Sequence, residues 1–240
     1  MSGKSFNDDE MVINYHDAVI YGKDLALLQR PTEWLNDACV HFFFTWLKKN
    51  HAEQSIMVLD PSVVNFFMHQ CTDEDDIDDF ASTFEYPHTG GLILVPLNDA
   101  MTTESSSWKS PGGGSHWSLM VIVIDKGERH GIRYWHWDSV PNNSNNIAAA
   151  KDVAAKMSEN IFSNPNHEVI QAKAPEQKNG YDCGLHMLAT AQIFAKETDK
   201  LKTLPEYEVM LQEHFEKNPD ACSQLRSWMA NEILKLAEGK

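Results

Sequence analysis

The sequence predicts an α+β fold, on three observations. Short β-branched and aromatic runs open the chain, a cluster of apolar strands fills its middle, and helix-competent stretches dominate its last third. No internal repeat is visible. With 240 residues, 42% hydrophobic and 23% charged, the chain has a globular composition and enough length for one large core. Residues 11–240 are expected to form a single domain behind a mobile tail, residues 1–10.

Taken in order, Met11–Tyr15 and Ala18–Tyr21 read as two short strands, the second ended by Gly22. Asn36 or Asp37 can cap a helix over Ala38–Leu47, which is apolar on nearly all sides and therefore buried. Cys39 and His41 within it are expected to be core residues. Asp60-Pro61 opens the next helix, a capping carboxylate followed by proline at the first helical position. The acidic run 72–79 alternates acids like a calcium loop. Asp78 stands where an EF-hand needs glycine, however, and no glutamate closes the loop, so the run reads as a solvated helix N-terminus. Gly91–Leu97 is a buried central strand ending in a turn at Asn98-Asp99.

Residues 100–115 hold three consecutive serines and three consecutive glycines, the composition of a movable lid. The loop runs straight into His116-Trp117 and a strand, Ser118–Ile124. Lys126-Gly127 suits a hairpin turn, and Ile132–Trp137 returns as its partner with Asp138 at the end. A helix from Asn145 to about Phe162, a strand at Glu168–Ala172, a helix beginning at Cys183, and two more from about Pro205 and Ala221 complete the chain.

The net charge of −15 and pI near 5.0 argue against a nucleic-acid partner, because no basic patch displaces phosphate counterions; a basic protein face suits this surface better. No apolar run has membrane-spanning length and the first residues lack a signal-peptide core, so the chain is expected in the cytoplasm or nucleus, not at a membrane. Cys39, Cys71, Cys183 and Cys222 are far apart with no CxxC pair, which leaves neither a disulfide framework nor a zinc finger.

The chemistry centres on Gln177-Lys178-Asn179-Gly180-Tyr181-Asp182-Cys183-Gly184. An Asn-Gly turn places Cys183 at the head of a helix, where unpaired N–H groups and the macrodipole favour a thiolate. A thiol nucleophile needs a base, a group to orient the base, and oxyanion donors. His116 at the start of one hairpin strand and Asp138 at the end of the other are brought together by antiparallel pairing. Gln177 and the Cys183 N–H are the candidate donors.

His116-Trp117-Ser118-Leu119, Trp137-Asp138-Ser139 and the Gln177–Gly184 segment, in that order, resemble the Ulp/sentrin-protease family of ubiquitin-like-modifier cysteine proteases. Trp34-Leu35-Asn36-Asp37 and the Gly112-Gly113-Gly114-Ser115 lead into His116 bring the chain nearest to that family's small deneddylating branch, which matures and removes the Nedd/Rub modifier. The resemblance implies a papain-like fold of the Ulp type, a mostly antiparallel sheet packed between helices. It also implies a monomer without metal or cofactor, acting on a Nedd/Rub precursor and on conjugates such as cullins. By the same resemblance Cys183 is the nucleophile, His116 the general base and later acid, Asp138 its orienter and Gln177 the oxyanion donor. Trp34 and Trp117 roof a slot that admits only a Gly-Gly tail, and Asp37 binds a basic group near that tail. Trp137 departs from the family's usual smaller residue, and the loop before Pro111 is longer than in the deneddylating branch. A SUMO-specific protease of the same family, a Cys/His acyltransferase and a non-catalytic ubiquitin-like-binding module are the alternatives. Zinc ligation by Cys183 and His186 lacks further ligands in sequence.

Overall fold

The computed structural model describes residues 6–51, 55–85, 90–103, 105, 114–125, 131–141, 144–197 and 202–239. Strands β1 (Met11–Tyr15) and β2 (Ala18–Tyr21) form an antiparallel hairpin. Its turn residues His16 and Asp17 have φ of 48° and 72°, the left-handed pair that a tight hairpin demands. Residues 6–10, expected in the mobile tail, are tied down: Gly22 N donates to Glu10 O (2.9 Å), Lys23 N donates to Asp8 O (3.0 Å), and Phe6 packs on the core. Gly22 does not simply end β2. It opens helix α1 (Gly22–Gln29), where a Cβ would stand 2.0 Å from Asn7 O, so glycine is required by close approach.

Helix α2 (Asp37–Asn50) starts where expected, with Asn36 Oδ1 accepting from Cys39 N (3.1 Å). Cys39 is fully buried, and burial, reinforced by the charge of Asp24, pushes its thiol up to about 12. His41 is not a core residue: it is partly exposed and pairs with Asp60 Oδ2 at 2.8 Å. A three-residue strand β3 (Ile56–Val58), too short to register in the sequence, precedes α3 (Pro61–His69) and α4 (Glu74–Thr83). The acidic run is a helix start, as expected, with Asp73 Oδ1 accepting from Asp76 N.

Strands β4 (Gly91–Asn98), β5 (Trp117–Ile124), β6 (Ile132–Trp137) and β7 (Val169–Gln171) complete a sheet of order β3-β4-β5-β6-β7. Its long central pairs are antiparallel and both short edges are parallel, so the sheet is mixed rather than uniform. Every residue of β4 and β5 is buried, as strands covered on both faces must be. The remaining helices are α5 (Ser144–Met157), continued by a wide π turn at Ser158–Phe162, α6 (Cys183–Lys196), α7 (Leu204–Lys217) and α8 (Ala221–Ala237). Leu92, Leu94, Val121 and Trp135 face the layer of α2, α6 and α8, while Ile93, Val95, Ile122 and Tyr134 face α3 and α5. At about 1.5–3 kcal/mol per buried large apolar side chain, this double-sided packing makes β5 and β6 a rigid platform for whatever their ends carry. Residues 104 and 106–113, most of the loop expected to form a lid, and the Lys126-Gly127 turn lie outside the described residues. No described helix is long and apolar enough to cross a membrane.

Candidate active site

The β5–β6 register pairs Leu119 with Trp137, which sets Ser118 opposite Asp138 and His116 diagonal to it on the same face. There Nε2 of His116 lies 2.6 Å from Oδ1 of Asp138, and the same oxygen accepts from Val140 N at 2.8 Å. Both side chains are buried. Cys183 at the head of α6 acts on the same imidazole and, together with Asp138, favours its charged form. Burial works against the imidazolium, but the hydrogen bonds to Asp138 and Cys183 outweigh it and raise His116 to about 9.

Three supporting residues were not anticipated from sequence. Asp99, read only as a turn residue, fixes the lead into β5: Ser115 N (2.6 Å), Ser115 Oγ (2.7 Å) and His116 N (3.3 Å) donate to its carboxylate. Just before them Gly114 has φ of 95°, and a Cβ there would stand 1.6 Å from Asn98 Oδ1. Asn146, at the start of α5, donates through Nδ2 to His116 O (3.3 Å) and Ser118 Oγ (2.8 Å). His136 shares a face with Asp138 and bonds Ser118 Oγ at 2.9 Å; burial lowers it to about 4, so it stays neutral beside the His116 imidazolium. Its spacing of two from Asp138 on a strand was the available signal. Asn146 and Asp99 had none, since both contacts cross between elements.

Cys183 is the first residue of α6 and is 4% exposed. The loop before it is pinned by its own polar groups. Ser139 Oγ donates to Gln177 Oε1 (2.7 Å), Gln177 Nε2 donates to Asn179 O (2.6 Å), and Asn179 Oδ1 accepts from Tyr181 N and Asp182 N. Gln177 Nε2 thus has one of its two protons engaged. Asp182 does not cap α6 with its side chain, which leaves the helix N-terminus to act as an anion site.

Trp34 is 49% exposed and donates Nε1 to Gly180 O (2.8 Å), so its indole is moored to the nucleophile loop. Leu35 presses on Gly184, where an added Cβ would meet Leu35 Cβ at 3.2 Å. Trp117, expected with Trp34 to roof the slot, is largely buried. It is 5% exposed, belongs to the core facing α6, and holds the Leu35 carbonyl through Nε1 (2.9 Å). Trp137 packs edge-on against Phe194 of α6. Asp37 is exposed at the first turn of α2, its carboxyl raised by partial burial and by the charge of Asp60. His186 lies flat on Phe215, ring centroids 4.8 Å apart. Among the described residues no group of three or more His, Cys, Asp or Glu side chains is arranged to hold a metal. The roomier clefts lie elsewhere, such as one of about 540 Å³ beside His41, Phe80 and Phe84. A slot for an extended diglycine has no side chain to accommodate and needs no such volume.

This arrangement, a helix-borne thiol against an imidazole oriented by a carboxylate, falls within the segment that matches a known family. Residues 91–218 match the Ulp1 protease family, C-terminal catalytic domain, and include His116, Asp138, Gln177 and Cys183. The chain belongs to the Ulp1 protease family. It is a cysteine peptidase. Among curated proteins it is 28% identical to the probable sentrin-specific protease 8 of Dictyostelium discoideum, over 95% of this chain and 98% of that protein. It is 28% identical to NEDD8-specific protease 1 of Arabidopsis thaliana (96% and 95%) and 27% identical to human sentrin-specific protease 8 (82% and 89%). Among solved structures, the SUMO protease Ulp1 with its catalytic cysteine oxidised to a sulfenic acid aligns with a TM-score of 0.59 at 20% identity, covering 95% of this chain and 89% of that one. The Ulp1 protease domain in complex with Smt3, the yeast ortholog of SUMO, aligns at 0.58 and 18% (98% and 90%). These two establish the α+β Ulp-type fold.

Proposed function

We propose that this peptidase is a deneddylase, cleaving after the C-terminal Gly-Gly of a NEDD8-type modifier both in its precursor and at the isopeptide bond to a conjugated lysine. The observation that carries the reading is the convergence of Cys183, His116 and Asp138 at one end of the sheet, beside Trp34, whose indole is tied to Gly180 O. The full-length similarity to proteins named NEDD8-specific protease 1 and sentrin-specific protease 8 supports the choice of modifier.

In this reading Cys183 gives its proton to His116 and attacks the carbonyl carbon of the terminal glycine. The tetrahedral oxyanion is held by the Cys183 N–H at the positive end of α6 and by the second Nε2 proton of Gln177. Collapse breaks the C–N bond, the leaving amine takes the proton from His116, and a thioester remains. Water then attacks it, giving its proton to His116, and the modifier leaves with a free carboxylate as the thiol is restored. Trp34 covers a diglycine that no larger residue can replace beneath an indole moored to Gly180 O, and Asp37 pairs with a basic residue near the tail. The protein acts as a monomer in the cytoplasm or nucleus, with cullins among its conjugated substrates.

A panel of ubiquitin-like modifiers carrying a fluorogenic C-terminal amide tests the assignment. The NEDD8 substrate should be turned over with the highest kcat/KM. Preferred cleavage of the SUMO substrate would assign the chain to the other branch, and no cleavage of any member would remove the reading.

A further inference from the structure

Arg226, on the last helix, plays no part in the chemistry above, yet it is 4% exposed and joins the segment before Trp34 to the loop before Cys183. Its Nη1 donates to Leu27 O (2.9 Å) and Arg30 O (3.3 Å), and its Nη2 to Glu33 O (2.8 Å) and Asp182 Oδ1 (3.0 Å). The three carbonyls belong to the end of α1 and to the segment that delivers Trp34. The carboxylate belongs to the residue directly before Cys183, and its other oxygen accepts from Asn179 Nδ2 at 2.8 Å. One guanidinium therefore clamps the roof segment to the nucleophile loop.

The pairing also has an electrostatic consequence. A largely buried carboxylate one residue from a thiol opposes thiolate formation, and a guanidinium bonded to that carboxylate cancels its field. Other charges around this corner are His116 just before β5, Asp138 just after β6, the exposed Arg30–Glu33 pair, and Asp24 on α1, whose oxygens accept from Tyr21 N and Asn36 Nδ2. The titratable groups that feel Asp182 or Arg226 from packed elements are His186 of α6, Cys39 of α2 and Cys222 of α8.

We propose that Arg226 is a positioning residue for Cys183, which holds the Glu33-Trp34 wall against residues 179–182 and offsets the charge of Asp182 beside the sulfur. The proposal rests on Cys183 being the nucleophile, and its test reads the sulfur rather than the peptidase.

The experiment is the pH dependence of iodoacetamide alkylation of Cys183, located by peptide mass, in the wild type, Asp182→Asn, Arg226→Met and the double variant. Cys39 and Cys222 are held near 12 and stay silent over this range. Asp182→Asn, which keeps the side chain's size, leaves Arg226 unbalanced and should lower the midpoint by about one pH unit; Arg226→Met should raise it by a similar amount, and the double variant should return toward wild type. Arg226→Lys should keep the midpoint while kcat falls and KM holds. Should Arg226→Met fail to fold, Asp182→Asn alone decides. A midpoint unmoved in Asp182→Asn, or moved upward, overturns the proposal. Midpoints that shift as expected in a protein that cleaves no modifier would leave the charge pairing standing and overturn the deneddylase reading instead.

Discussion

Asp138 uses a single oxygen, Oδ1, for both His116 Nε2 at 2.6 Å and the amide of Val140 at 2.8 Å, while its Oδ2 is buried with no hydrogen-bond partner among the described residues. The carboxylate is thereby fixed by backbone before it fixes the imidazole. Its hydrogen bond through Oδ1 and, after that, its charge stabilise the imidazolium. Asp138→Asn keeps the shape and removes that charge, so kcat/KM should fall by about 10³–10⁴-fold. The alkaline limb of the pH–rate profile, set by loss of the His116 proton, should also move down from about 9. A limb that stays in place would mean that Asp138 contributes geometry alone.

Stability should peak near pH 6.5 and decline on both sides. His116 is raised to about 9 in the folded state, so its contribution is complete below its unfolded value of 6.5 and is lost as pH climbs through 9. His136 and His186 are lowered to about 4, so the unfolded chain takes up protons there first and stability falls between pH 6.5 and 4. Each shift is worth roughly 3 kcal/mol at its limit. Urea unfolding across this range measures both flanks. Cys183→Ala, which removes one of the hydrogen bonds raising His116, should flatten the alkaline flank, and His136→Gln the acid one.

Gly184→Ala should separate the roof from the nucleophile. The new Cβ would meet Leu35 Cβ at 3.2 Å, so either Leu35 or the start of α6 must give. Overpacking of this kind costs about 1–3 kcal/mol, read as a shift in the urea midpoint. Because Leu35 adjoins Trp34, kcat/KM on a modifier substrate should fall about 10-fold or more while a small thiol reagent still reaches Cys183. Equal losses toward both reagents would place the damage at the sulfur instead.

The net charge of −15 should steer a basic modifier face toward the slot. Stopped-flow association with a catalytically dead Cys183→Ala enzyme should slow several-fold between about 50 and 300 mM salt, with the dissociation rate changing less. An association rate indifferent to salt would remove electrostatic steering from the account.

Much of this was legible because the informative residues sit at element ends. Antiparallel pairing alone brings His116 to Asp138, and the Asn-Gly turn before an apolar helix fixes Cys183 at a helix start. The α+β order, the caps at Asn36 and Asp60, the helix start in the acidic run and the buried β4 followed from local pattern. What pattern could not give was contact between distant segments. Asp99 bonding Ser115, Asn146 bonding Ser118 and Arg226 bonding Asp182 join elements that no spacing rule relates. Helix α1 was hidden because its first residue is a glycine, which propensity reads as a stop. Strand β3 has only three residues. Trp117, given a place over the slot by the family resemblance, is buried against the core facing α6.

The account is tested most directly by incubating the enzyme with NEDD8 bearing a C-terminal electrophile in place of the scissile bond, followed by intact mass and peptide mapping. A single adduct at Cys183, absent in Cys183→Ala, slowed by His116→Ala and not formed with the equivalent SUMO probe, is the predicted result. An adduct at Cys39, Cys71 or Cys222, or full-speed labelling without His116, would contradict it.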